Sequence, residues 1–98
     1  MEKVRIGPKK FIKYLIVVEH ILKRDKKVHV EAAGKRVQNA CYLAAVCRGR
    51  GSIVKNIDIK LEEYESKMFT IINYDLEGEL SEDNRSRETK TNGKEDRK

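Results

Sequence analysis

Apolar and polar positions along this chain follow two periods, and the period changes at glycines or charged breaks. In Lys3–Ile6, Val4 and Ile6 take one face and Lys3 and Arg5 the other, the pattern of a short half-buried strand. Gly7-Pro8 ends it, and Pro8 suits the first position of a helix, where its missing N–H is no loss. The period then lengthens. Phe11, Leu15, Val18 and Leu22 form an i, i+4, i+7, i+11 stripe, widened by Tyr14 and Ile21, while Lys9, Lys10, Lys13, Glu19 and Lys23 fall mostly elsewhere. That spacing predicts an amphipathic helix running to about Arg24, with a turn at Arg24-Asp25.

Alternation resumes over Lys27–Ala32, with Val28, Val30 and Ala32 inward and Lys27, His29 and Glu31 outward. A second helix is expected from about Lys35 to Cys47, with Val37, Ala40, Cys41, Ala44 and Cys47 as a thin inner face. Tyr42 and Val46 form a second apolar strip that a monomer would struggle to cover. Gly49 and Gly51 break this helix. Ile53–Leu61 alternates again, with Ile53, Ile57, Ile59 and Leu61 against Asn56, Asp58 and Lys60; Glu62–Lys67 reads as a hairpin turn and Met68–Leu76 as the returning strand. That last strand is apolar on both faces, which places it in a sheet interior or under a second subunit. The order is βαβαββ: an α+β, two-layer fold with two helices packed on a four-stranded mixed sheet.

The chain of 98 residues suffices for one domain, expected over residues 1–78. Residues 79–98, with Leu80 their only large apolar side chain, read as a disordered charged tail unable to offset the entropy of ordering. Charge is unevenly spread. Residues 1–60 hold fifteen Lys/Arg against five Asp/Glu, residues 61–78 one against five, and the tail six against six, for a net charge of +6. A basic domain with clustered cations is the electrostatic footprint of a polyanion partner, usually nucleic acid.

The cations fall where two helices begin. Lys9, Lys10 and Lys13 follow the first strand, and Lys35 and Arg36 follow the second. In a βαβ arrangement both helix starts lie at one edge of the parallel pair, so five cations and two sets of helix N-terminal N–H groups converge on one rim suited to phosphate oxygens. Lys35 and Arg36 also oppose the positive end of the helix dipole, a placement that suits an anionic partner. Arg48 and Arg50, around Gly49, lie toward the opposite end and are placed to reach a neighbouring stretch of backbone. The six aromatic residues read as core or hairpin, so base stacking is not expected to dominate, and binding should be salt-sensitive and weakly sequence-specific.

Other chemistry has little support. His20 and His29 read as surface or boundary residues, and Glu62, Glu63 and Glu65 as solvated hairpin carboxylates. Cys41 and Cys47 lie six apart on one helix and turn away from each other, so they read as small core residues of a reducing compartment rather than a disulfide or metal pair. No nucleotide-loop, hydrolase or metalloprotease motif occurs, and no enzyme activity, cofactor, metal or small-molecule substrate is expected. The longest apolar run, Tyr14–Val18, is too short to span a membrane, and the N-terminus lacks a secretory segment.

The chain resembles the Alba family, small dimeric archaeal chromatin proteins with RNA-binding relatives in eukaryotes. The resemblance rests on Val4-Arg5-Ile6-Gly7 with Lys9-Lys10 and Tyr14, on Gly34-Lys35 with Ala40, and on Arg48-Gly49-Arg50 after the second helix. It implies a homodimer whose Lys9 and Lys10 contact nucleic-acid backbone, with Lys35, Arg36 and Asn39 adding to that surface and Arg48 and Arg50 supporting it. It further implies binding to DNA or RNA in a cytoplasmic, chromosome-associated setting, or a nuclear one in a eukaryote. The family's terminal hairpin is typically a long arm, basic at its tip. Here the hairpin reads as short, with Glu62, Glu63 and Glu65 opposing Lys67, which favours RNA or a ribonucleoprotein subunit of the ribonuclease P/MRP kind. A protein–protein module docking an acidic partner is the alternative from a different class.

Overall fold

The structure, a computed structural model, describes residues 1–81. The expected tail from residue 82 onward lies outside the described residues. The element order is β1 (Lys3–Arg5), α1 (Phe11–Asp25), β2 (Lys27–Ala33), a 3-10 turn (Gly34–Arg36), α2 (Val37–Gly49), β3 (Ile53–Tyr64) and β4 (Lys67–Glu77). The strands form one sheet in the order β1-β2-β4-β3, with β1 parallel to β2 and the other neighbours antiparallel. This is the βαβαββ, two-layer fold with both helices on a four-stranded mixed sheet. β4 occupies the sheet interior, which accounts for its apolar side chains on both faces.

The core lies between the helices and one sheet face. Val4, Val28, Val30, Ala32, Ile72, Tyr74 and Leu76 come from the strands, Val18, Ile21 and Leu22 from α1, and Ala40, Leu43 and Cys47 from α2. Removing such apolar area from water is the main drive for folding, roughly 25 cal/mol per Å². Tyr74 is buried with its polar tip satisfied: its hydroxyl donates to the Ala40 carbonyl at 2.6 Å, tying β4 to α2.

Several boundaries differ from the sequence expectation, each for a local reason. α1 begins at Phe11, not at Pro8, because the Gly7 and Lys9 N–H groups both donate to the Tyr14 hydroxyl, at 3.0 and 3.1 Å, and hold Gly7–Lys10 as a loop. In α2 the inner face is Ala40, Leu43 and Cys47, whereas Cys41 is exposed. Lys35 and Arg36 sit in the 3-10 turn before α2, and Gly34 opens that turn at φ +61, a backbone state that disfavours any residue with a Cβ.

The terminal hairpin is long, not short. β3 and β4 pair as far as Tyr64 and Lys67 around a two-residue turn, Glu65-Ser66, with both residues at positive φ. β2 pairs with β4 only as far as Ala33 opposite Ile71. Leu61–Tyr64 and Lys67–Thr70 therefore project past the sheet by roughly 14 Å as a two-stranded arm. Between Lys55 and Asp58 the register shifts, with Asn56 and Ile57 both facing Tyr74. This bulge reverses the strand's phase. Val54, opposite Leu76, packs against the core, and Ile59 and Leu61, opposite Ile72 and Thr70, lie on the same helix side of the sheet but exposed, while Ile53 lies on the other face.

After β4 the chain does not leave the domain at Glu79. The Gly78 N–H donates to the Lys26 carbonyl at 2.9 Å, Leu80 is buried, and the Ser81 N–H donates to the Arg50 carbonyl at 2.7 Å. Residues 79–81 thus belong to the packed body.

Candidate nucleic-acid interface

Parallel pairing of β1 and β2 carries both strands off the same sheet edge: Arg5 sits opposite Glu31, and the Ile6 N–H donates to the Glu31 carbonyl at 2.9 Å. The loop Gly7–Lys10 leaves β1 at that edge and the Gly34–Arg36 turn leaves β2 there. Lys9, Lys10 and Lys35 are exposed and Arg36 is half-buried; Lys13, in the first turn of α1, is exposed as well. The structure therefore brings these five expected residues to one rim. Asn39, half-buried in the first turn of α2, borders it.

The rim is held electropositive. Neither helix has an acidic residue in its first turn or a side-chain cap. No Asp or Glu occurs between Glu2 and Glu19, or between Glu31 and Asp58. Lys9, Lys10, Lys13, Lys35 and Arg36 form no ion pair among the described residues, whose ion pairs involve other cations. Tyr14, which the helical spacing placed on the core stripe, also shapes the rim. Its hydroxyl fixes the Lys9 backbone, and a Cβ on Gly7 would come within 3.1 Å of that oxygen.

Arg48 and Arg50 are not part of the rim. They lie at the other end of the thirteen-residue α2, about 18 Å away along its axis. Arg48 is exposed there. Arg50 corrects the expectation outright: its side chain is 2% exposed, donates from Nη2 to Glu19 Oε2 at 2.9 Å and from Nε to the Ser81 carbonyl at 3.2 Å. A guanidinium committed in this way pins the C-terminal segment to α1 and is not available to a phosphate.

The sheet face away from the helices carries interleaved charges. Lys3 pairs with Glu31 at 3.1 Å and Lys55 with Glu77 at 3.0 Å. His29 Nδ1 meets Asp75 Oδ1 at 2.7 Å, and Asn56 donates to Asp75 Oδ2 at 2.8 Å. The Asn56 amide first, and then His29, hold the Asp75 carboxyl below its ordinary value, and Lys3 does the same for Glu31. Such internally matched charge offers little to a polyanion. The two thiols are free; burial pushes Cys47 up to about 11, while Cys41 is exposed.

The arm carries carboxylates where the rim carries cations. Glu62, Glu63 and Glu65 are exposed and Lys67 faces Tyr64 across the turn. Tyr42 and Tyr64 are both exposed, the former with its ring against Phe11 at 4.8 Å. No described helix is long and apolar enough to cross a membrane.

No protein-family model matches the sequence, and no curated protein matches it. Solved structures do match. Alba from Thermoplasma volcanium superposes with a TM-score of 0.66 at 19% identity, over 78% of this chain and 99% of that one. ALBA1 from Trypanosoma brucei superposes with a TM-score of 0.69 at 19% identity, over 90% of this chain and 83% of that one. The chain has the fold of the Alba proteins, with the basic rim at the root of its hairpin arm.

Proposed function

We propose that this chain is a non-catalytic nucleic-acid-binding protein that holds the sugar–phosphate backbone of DNA or RNA on the rim formed by Lys9, Lys10, Lys13, Lys35 and Arg36. The observation that carries this reading is that five cations, from two loops and the first turn of α1, share one sheet edge without a carboxylate partner among the described residues. Side chains that gain nothing from the fold at that edge are suited to phosphate contacts, which position a protein without reading sequence. The Alba fold adds to this reading, as does the Alba-like homodimer, for which Tyr42 and the half-buried Val46 on the outer surface of α2 are the natural contact strip. The protein would act in the cytoplasm or nucleus, associated with a chromosome or with RNA.

A ribonucleoprotein subunit is the second reading, and a specific feature favours it: the arm exposes Leu61, Tyr64 and Met68 and is acidic at its tip, which suits a protein contact better than a groove of duplex DNA. Fluorescence-anisotropy titration of duplex DNA, duplex RNA and single-stranded RNA of equal length, across a salt series, separates the readings. Backbone binding gives log affinity falling linearly with log salt, with little dependence on sequence. Failure to bind any of the three at low salt would overturn the nucleic-acid reading.

A further inference from the structure

The sheet face away from the helices changes character along its length. Over the body it carries matched charges, Lys3 with Glu31, His29 with Asp75 and Lys55 with Glu77. Beyond Asn73 the same face turns apolar. Ala33 pairs with Ile71 there, and further out come Phe69 on β4 and Tyr64 on β3. Strand alternation sets these side chains opposite to the core residues Ile72, Tyr74 and Leu76. Tyr64 is 65% exposed and Phe69 half-buried, with ring centroids 6.5 Å apart at an interplanar angle of 42°. Neither ring belongs to the core.

This aromatic pair is flanked by cations and continuous with the rim. Lys67 lies opposite Tyr64 and Lys60 opposite Ile71, both exposed, and neither forms an ion pair among the described residues. At the end of β2 the chain turns at Gly34, φ +61, and a Cβ there would lie 3.8 Å from Phe69 Cδ1. The turn that carries Lys35 and Arg36 therefore rests against the Phe69 ring.

We propose that this face of the arm is a stacking platform for unpaired bases. Phe69 and Tyr64 take bases of a single strand, RNA or DNA, whose phosphates follow Lys67 and Lys60 toward Lys35. Every base has a π-face, so such contacts tolerate any sequence, and the cations track the backbone. A duplex keeps its bases stacked inside and can use the rim but not the rings. Glu62, opposite Phe69, repels phosphate but accepts a hydrogen bond from the exocyclic amine of a base. The inference rests on the reading of the rim as a backbone site and deepens it, naming unpaired strands as the ligand class.

Fluorescence anisotropy on the full-length protein tests it, with a labelled single-stranded RNA, a single-stranded DNA of the same sequence and the DNA duplex. Phe69→Leu with Tyr64→Leu removes both rings and keeps apolar side chains. This variant should bind single strands at least about tenfold more weakly and the duplex within about twofold of wild type. Its slope of log affinity against log salt should not change, because no cation is lost. Phe69→Tyr with Tyr64→Phe retains two π-faces and should bind as wild type does. A loss confined to RNA or to DNA identifies which strand the platform takes. Single-strand affinity that ignores the rings would overturn the platform and leave the patch to a protein partner. An equal loss on the duplex would overturn it too, marking the rings as supports of the Gly34 turn. If wild type binds neither single strands nor duplex, the reading of the rim falls and the platform with it. If duplex affinity depends on Lys9, Lys10, Lys35 and Arg36 while single-strand affinity ignores the rings, the rim stands and the platform alone falls.

Discussion

The two ends of the sheet use the same residue types for opposite purposes. At the far end, where α1 and α2 finish, Arg24 meets Glu2 and Asp25, Lys26 meets Glu79, and Arg50 is buried against Glu19. At the rim, where the helices start, Lys9, Lys10, Lys13, Lys35 and Arg36 have no such partners among the described residues. The far end therefore neutralises its charges within the fold, with Arg50–Glu19 its one buried pair among those described, and the rim is a concentration of positive potential that mildly opposes the helix dipoles. Cations paired within the fold and cations left without a partner are distinguished by the carboxylates around them, not by their own identity.

That comparison is broken most severely at Arg50. Arg50→Ala should destabilise the protein by about 3 kcal/mol, the low side of the range for breaking a buried ion pair because Glu19 keeps some access to water. Urea denaturation reads the loss, and nucleic-acid affinity measured on the folded fraction should not move. An unchanged urea midpoint would mean that the far end is not held by this pair. Tyr14→Phe joins the two halves of the comparison, since one hydroxyl supports the Lys9 loop. It should cost about 1 kcal/mol in stability and weaken nucleic-acid binding several-fold, whereas a merely packed ring would leave binding intact.

Acid sharpens the same contrast on the open sheet face. Asp75 and Glu31 have folded values below their ordinary 3.8 and 4.5, so the stability they add is present above those values. It is lost as pH falls below about 4 through the depressed folded values. Thermal melts from pH 6 down to about 2 should show Asp75→Asn losing roughly 1 kcal/mol at neutral pH and converging on wild type in acid. Parallel curves at every pH would show that the Asn56–Asp75–His29 cluster is not the source. The smallest effect belongs to the arm: Leu61→Ser with Met68→Ser should change monomer stability by less than about 0.5 kcal/mol per site, because both are already in water. A core-sized loss would show that the arm is packed in solution.

The βαβαββ order was legible because Val28, Val30 and Ala32 alternate cleanly and Phe11, Leu15, Val18 and Leu22 repeat at helical spacing. The rim was legible too, since its cations are local to two helix starts. What sequence could not carry was set by distant or weak signals. Arg50 is buried only because Glu19 and Ser81 converge on it, each thirty-one residues away. Leu43 replaces Cys41 on the inner face of α2 because a helix so rich in alanine has little amphipathic contrast to fix its phase. The arm was read as short because Glu65-Ser66 lacks the glycine or asparagine that normally marks a two-residue turn with positive φ, and the Asn56 bulge hid the change of face beyond it.

The central claim is that the rim, and not the far end, holds a nucleic-acid backbone. Its most direct test is an anisotropy salt series on a duplex for wild type and for a Lys9→Ala, Lys10→Ala, Lys35→Ala, Arg36→Ala variant of confirmed fold. The account predicts weaker binding of every sequence, and a log–log salt dependence shallower by about 0.9 for each phosphate contact removed. Equal affinity and equal slope for the two proteins would contradict it.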